Sequence, residues 1–105
     1  MLLRRLGYGG IVVPNGQEAL RALGRQHFDV MLLDVNMPVL GGWETLQALR
    51  ELERTGRPRM PVIMISGHDL PEDRARYLAG GADAYLVKPL DAGELDATLQ
   101  RVRRR

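Results

Sequence analysis

Cysteine is absent from this 105-residue chain. That excludes a disulfide scaffold, a Cys-ligated zinc site and thiol catalysis. Histidine is scarce: His27 and His68 are the only two, too few for a His-rich metal site. No apolar run approaches the ~20 residues that cross a bilayer, and no secretory-signal pattern opens the chain. The expected compartment is therefore the cytoplasm, with no membrane contact. Lysine is the rarest charge. Of fifteen cationic side chains, only Lys88 is a lysine, and its position carries weight below.

What is present is ordinary for a soluble globular chain. Hydrophobic residues make up 45% and charged residues 27%, so the chain can bury a core and is not a disordered segment. Its length allows one domain, residues 1–105, and leaves no room for a second. The net charge of +2 is local in origin. Arg101, Arg103, Arg104 and Arg105 supply four cations at the very end, and without them the balance is 11 basic against 13 acidic residues. Such a run reads as a solvated helix end, where cations suit the negative pole of the dipole, rather than as a nucleic-acid contact.

Four short apolar runs recur: Ile11–Val13, Val30–Leu33, Val62–Ile65 and Ala84–Val87. Most lack polar alternation, which fits strands buried on both faces of a parallel sheet. Helical signals lie between them. Asn15 with Glu18 forms a capping box ahead of Ala19, Leu20 and Leu23, and Asp91 with Glu94 repeats it ahead of Leu95, Leu99 and Val102. Leu46 and Leu49 have helical spacing after Gly41-Gly42. Pro71 opens a further helix that Gly80-Gly81 ends. The order is the end of a helix, then β-α-β-α-β-α-β-α, which predicts an α/β domain with right-handed crossovers.

In an open α/β sheet, ligands bind beyond the carboxyl ends of the strands. The second run ends at Asp34, the third at Ser66 and the fourth at Lys88. Alone, an Asp or Ser at a strand end reads as a turn former or cap, and a Lys as a solvated cation. Three such groups at equivalent ends of consecutive strands suit an anionic group attached to Asp34 or held beside it. Ser66 can donate a hydrogen bond to that group and Lys88 can neutralise it. Tyr85, by itself, reads as a core aromatic, His68 as a loop residue, His27 as a surface residue, and Trp43 as a cap on the core.

The flanking segments sharpen the reading. Asp34-Val35-Asn36-Met37-Pro38 precedes Gly41-Gly42, Ser66-Gly67-His68 follows the third run, and Gly80-Gly81-Ala82-Asp83-Ala84-Tyr85-Leu86-Val87-Lys88-Pro89 spans the last. In that order they closely resemble the receiver domain of two-component response regulators, from about Leu2 to Arg103. The resemblance implies a flavodoxin-like (CheY-like) doubly wound parallel sheet and a phosphorelay function. Asp34 would accept a phosphoryl group from a histidine kinase or phosphotransfer protein. Asp34 and the backbone carbonyl of Asn36 would bind Mg²⁺. Ser66 would be the switch hydroxyl, Tyr85 the switch aromatic and Lys88 the phosphoryl-binding cation. Lys88-Pro89 would be a cis peptide, and His68 would tune dephosphorylation. Catalysis would go no further than self-phosphorylation and dephosphorylation of an aspartate. A downstream protein partner would dock on Pro71–Gly80, Tyr85 and Asp91–Arg104.

Two departures from the family pattern stand out. Gly41 occupies a position where many members carry Asp. More consequential, the chain opens at Met1 within what the resemblance makes the end of the first helix, Leu2–Leu6. The family's first strand, with its terminal acidic pair, is therefore expected to be missing. Mg²⁺ prefers several oxygen ligands, so its binding is expected to be weak. Three outcomes are open for the sheet: Ile11–Val13 closes up beside Val30–Leu33, a second chain lends a strand, or Met1 is an internal start. In the first, the stripe Leu95, Leu99 and Val102 is expected to lose part of its cover and favour a homo-oligomer. A degenerate, non-phosphorylated interaction module is the competing reading. An aspartate-nucleophile phosphatase is disfavoured, because such enzymes carry a second Asp where this chain has Asn36.

Overall fold

The computed structural model describes residues 15–25, 30–35, 41–56 and 59–103. Within them the elements run α1 (Gly16–Arg25), β1 (Met31–Asp34), α2 (Gly42–Glu53), β2 (Val62–Ser66), α3 (Pro71–Ala79), β3 (Ala84–Val87) and α4 (Ala92–Arg103). The three strands form one parallel sheet in the order β1-β2-β3. Ile11–Val13, Leu2–Leu6, His27 and Asn36 lie outside the described residues, and with them the expectations for the first strand and the acidic pair.

The strands are continuous apolar runs because both of their faces are covered. Successive residues point to opposite sides of a strand. Met31 and Leu33 of β1, Val62 and Met64 of β2, and Tyr85 of β3 join one buried cluster with Ala19, Ala22 and Leu23 of α1, Leu46 and Leu49 of α2, and Tyr77 of α3. Leu32, Ile63, Ile65, Ala84 and Leu86 face the other way and pack on Leu95, Leu99 and Val102 of α4. Among the described residues, three helices thus cover one face and α4 covers the other. A one-residue slip of any strand would exchange the two sets.

The helix starts follow their local chemistry. Asn15 Oδ1 accepts the Glu18 N–H at 2.9 Å, and Asp91 Oδ2 accepts the Glu94 N–H at 2.8 Å. Each satisfies one orphan donor of a first turn. Pro71 sits in the first turn of α3, where its missing N–H costs nothing. Past the end of α3, Gly81 has φ +117, a backbone conformation that favours glycine.

The α4 stripe corrects one expectation. Leu95, Leu99 and Val102 are 5%, 2% and 1% exposed rather than uncovered. Val30 and the second-face residues of all three strands already cover them. The stripe therefore offers no exposed apolar surface to drive formation of a homo-oligomer.

The opposite edge of the sheet, where β2 and β3 begin, is held by a buried ionic network. Asp83, whose side chain is 1% exposed, accepts from the Val62 N–H at 2.9 Å and from Arg59 and Arg50 at 2.6 and 3.2 Å. The Arg50 guanidinium also donates to the carbonyls of Gly81 and Met60 and to Glu53 Oε1. Glu53 Oε2 in turn accepts the Met60 N–H at 2.7 Å. One α2 side chain therefore ties the starts of two strands together.

Candidate functional site

The strand register sets the site. Asp34 pairs with Ile65, and Ser66 pairs with Val87, so β1, β2 and β3 end at nearly one level. The ladder continues one step beyond: the Val35 N–H donates to the Ile65 carbonyl and the Lys88 N–H to the Ser66 carbonyl, each at 2.8 Å. Lys88 follows β3 and Asp34 ends β1, with β2 between them. Neighbouring strands lie about 4.8 Å apart, so a side chain joining them must reach across roughly twice that. Lysine is long enough. Lys88 Nζ lies 2.5 Å from Asp34 Oδ2, with the two side chains 49% and 21% exposed. The Lys88-Pro89 peptide is cis.

A half-exposed ion pair contributes at most about 1 kcal/mol to stability. The pair is therefore no keystone of the fold, and it remains accessible to a charged ligand. Ser66 stands between the two partners at the end of β2. It is buried, and its Oγ accepts the His68 N–H at 3.1 Å. His68 itself is exposed. Its carbonyl lies 3.5 Å from the Tyr85 hydroxyl, at the outer limit of a hydrogen bond.

Tyr85 is 3% exposed and packs on Tyr77, ring centroids 6.0 Å apart. Tyr77 meets the edge of Trp43 at 5.4 Å, so Trp43 does border the core. Burial pushes the Tyr77 phenol above its usual 10.0; Arg76 beside it pulls the other way.

The N-terminus of α2 abuts Asp34 from behind. A Cβ on Gly42 would lie 2.5 Å from the Asp34 carbonyl oxygen and 2.9 Å from the Val35 Cα. Both are backbone atoms that cannot swing aside, so a glycine is needed there. Gly41, the departure noted in the sequence, is the N-cap of α2 with extended backbone and no side-chain cap bond.

Sequence reasoning missed Arg74. Its guanidinium lies over the Tyr85 ring, 5.2 Å from the centroid, and its Nη1 donates to the Tyr85 carbonyl at 3.2 Å. No motif marks it, because the contact joins residues 11 apart on different elements.

The fit to Mg²⁺ is limited among the described residues. They hold no group of three His, Asp or Glu side chains able to cage a metal, and Asp34 is the carboxylate that ends a strand there. Glu18, an acid upstream of Asp34, is paired with Arg21 on α1. The described residues alone do not make a magnesium cage.

Comparison with known proteins places the chain in a family. The family model "Response regulator receiver domain" matches residues 1–100, and the chain belongs to that family. It is 37% identical over 99 residues to the transcriptional regulatory protein PcoR of Escherichia coli, covering 94% of this chain and 42% of PcoR. It is 38% identical over 102 residues to the transcriptional activator PfeR of Pseudomonas aeruginosa, covering 97% of this chain and 32% of PfeR. The chain thus spans less than half the length of these relatives. Among solved structures, the receiver domain of the Francisella response regulator 1452 superposes with a TM-score of 0.76 at 33% identity, covering 87% of this chain and 72% of that one. The receiver domain of the sensor histidine kinase PA1611 of Pseudomonas aeruginosa, which holds a magnesium ion in its active-site cleft, gives 0.75 at 34% identity, covering 89% and 75%. No helix among the described residues is long and apolar enough to cross a membrane.

Proposed function

We propose that this chain is the phosphoacceptor of a two-component relay, with Asp34 as the accepting residue. The observation that carries the reading is the Lys88–Asp34 pair reaching across the end of β2, with Ser66 between them. An Asp34 oxygen attacks the phosphorus of a phosphohistidine on a kinase or phosphotransfer protein. The new O–P bond forms as the P–N bond breaks, and the departing imidazole nitrogen keeps the electron pair and is protonated. Charge accumulates on the phosphoryl oxygens in that step. Lys88 is placed to leave Asp34 Oδ2 and neutralise them, and the Ser66 hydroxyl to donate to one of them. Mg²⁺, held by Asp34 and the Asn36 carbonyl, would add further neutralisation. His68, exposed two residues after Ser66, would tune hydrolysis of the acyl phosphate.

Transfer changes the charge at the strand ends and redirects Lys88 and Ser66. A surface built from α3, β3 and α4, over residues 71–80, Tyr85 and residues 91–103, would carry the change to a protein partner. Acetyl phosphate with Mg²⁺ tests the reading. The expected result is one acid-labile adduct, mapped by mass spectrometry to Asp34 and lost in Asp34→Ala. An adduct elsewhere would overturn the assignment. Complete absence of an adduct would favour the interaction-module reading.

A further inference from the structure

We propose that Arg74 is a positioning residue that holds the Tyr85 ring inward and thereby governs the mobility of the Ser66–His68 turn. The proposal rests on the phosphoacceptor reading only for its consequence at Asp34; the Arg74 contact stands without it.

Arg74 is in the first turn of α3, and one guanidinium grips Tyr85 twice. It lies over the ring face, where the negative quadrupole attracts a cation. It also donates to the backbone carbonyl of the same residue. β3 is the last strand of the sheet among the described residues, and Arg74 supplies that carbonyl with a donor from a side chain. A third contact, Nη2 to Asp69 Oδ1 at 3.4 Å, steadies the guanidinium from the loop before α3.

The Tyr85 ring has apolar support on one side, Tyr77, and the cation on another. Its hydroxyl end meets the carbonyl of His68, whose N–H is bonded to Ser66 Oγ. The series Arg74, Tyr85, His68, Ser66 therefore runs from a half-buried cation on α3 to the hydroxyl at the end of β2. With the cation removed, the ring loses its outer cover and the edge carbonyl loses its donor. Tyr85 then samples solvent-facing rotamers, and the His68 peptide is freed from the ring that borders it.

The test is ¹⁹F NMR on protein labelled with 3-fluorotyrosine at its three tyrosines, with the Tyr85 signal assigned from Tyr85→Phe. In the parent protein that signal is expected in one buried environment, with a small solvent-isotope shift. Arg74→Gln should raise the solvent-exposed Tyr85 population roughly fivefold, the loss of one cation–π contact with its hydrogen bond. Arg74→Lys should raise it less, because charge remains over the ring while the fork to the carbonyl is lost. The Tyr77 signal should stay in place in both. Unchanged Tyr85 signals in both variants would overturn the proposal. So would Tyr77 and Tyr85 shifting together with a loss of cooperative unfolding in both, which would mark Arg74 as general packing. The comparison is repeated in Asp34→Ala without a phosphoryl donor, where the Arg74 effect should persist. Failure of Asp34 to accept a phosphoryl group would thus remove the phosphoacceptor reading and leave this measurement standing.

Discussion

Replacing Arg50 with methionine should be among the most damaging single changes available on α2. The guanidinium makes five hydrogen bonds, to Gly81 O twice, Met60 O, Glu53 Oε1 and Asp83 Oδ2, at 2.7–3.2 Å. Methionine keeps most of the aliphatic stem and none of the donors. Asp83 and Glu53 have side chains only 1% and 9% exposed, so water cannot simply replace what is lost. Breaking a buried pair from one side costs about 3–5 kcal/mol. Here Asp83 retains Arg59 and the Val62 N–H, which lowers the expected loss to about 2–4 kcal/mol. That is a large part of a margin of about 5–15 kcal/mol. At about 4–8 °C per kcal/mol for a domain of this size, the melting temperature should fall by roughly 10–30 °C. Urea unfolding followed by circular dichroism and Trp43 fluorescence would measure it. Arg50→Lys should recover about half, because the charge returns without the fork. Arg54→Ala, which removes an exposed i,i+3 pair with Glu51, should leave the midpoint where it was. A loss below about 1 kcal/mol for Arg50→Met would show that the network adds little beyond packing, and the reasoning would fail.

Three further outcomes follow from the geometry. Lys88→Met should lower phosphoryl uptake from acetyl phosphate by about 10²-fold, the scale for removing one transition-state donor, while shifting stability by less than about 1 kcal/mol; a large stability loss with uptake intact would reverse the assignment. Gly42→Ala should cost about 1–3 kcal/mol and also slow uptake at Asp34, because the added methyl meets the Asp34 and Val35 backbone; chemical denaturation and adduct yield measured together would reveal either effect alone. Tyr77 is buried with a phenol held above 10.0, so the unfolded chain ionises first: its contribution to stability should be complete below about pH 10 and lost as pH rises through the higher folded value, which an absorbance titration beside pH-dependent urea midpoints would follow.

Much of this was legible because it is local. Val62–Ile65 is apolar at every position since both faces of β2 are covered, and that leaves an unbroken mark in the sequence. Asn15 and Asp91 cap because a short oxygen-bearing side chain three residues ahead of an N–H needs no tertiary partner. The strand-end set Asp34, Ser66 and Lys88 was readable because a parallel sheet forces consecutive strand ends to one edge. What escaped notice depends on side chains meeting across the fold. Arg50 and Asp83 are 33 residues apart, and nothing near either says that a buried carboxylate awaits an arginine. Arg74 sits among other charged residues of α3, and only the packing of α3 over β3 selects it. The cover over Leu95, Leu99 and Val102 is not legible locally, because it comes from the second face of strands far away in the chain, Leu32, Ile63 and Ile65 among them.

The two edges of the sheet are built to opposite specifications, and that has a kinetic consequence. Where β2 and β3 begin, the network centred on the buried Asp83 carboxylate joins them, and Asp83 and Val62 exchange backbone and side-chain bonds directly. Where they end, an accessible ammonium, a hydroxyl and the exposed stretch Gly67–Leu70 meet solvent. Amide protons at the Val62 and Asp83 end should exchange only through global unfolding, while those of Gly67–Asp69 exchange through small local openings. A sheet clamped at one margin yields at the other. Any reaction at Asp34 would then be felt as a splaying of the loops beyond the strand ends, over micro- to milliseconds, with the strands themselves keeping their register.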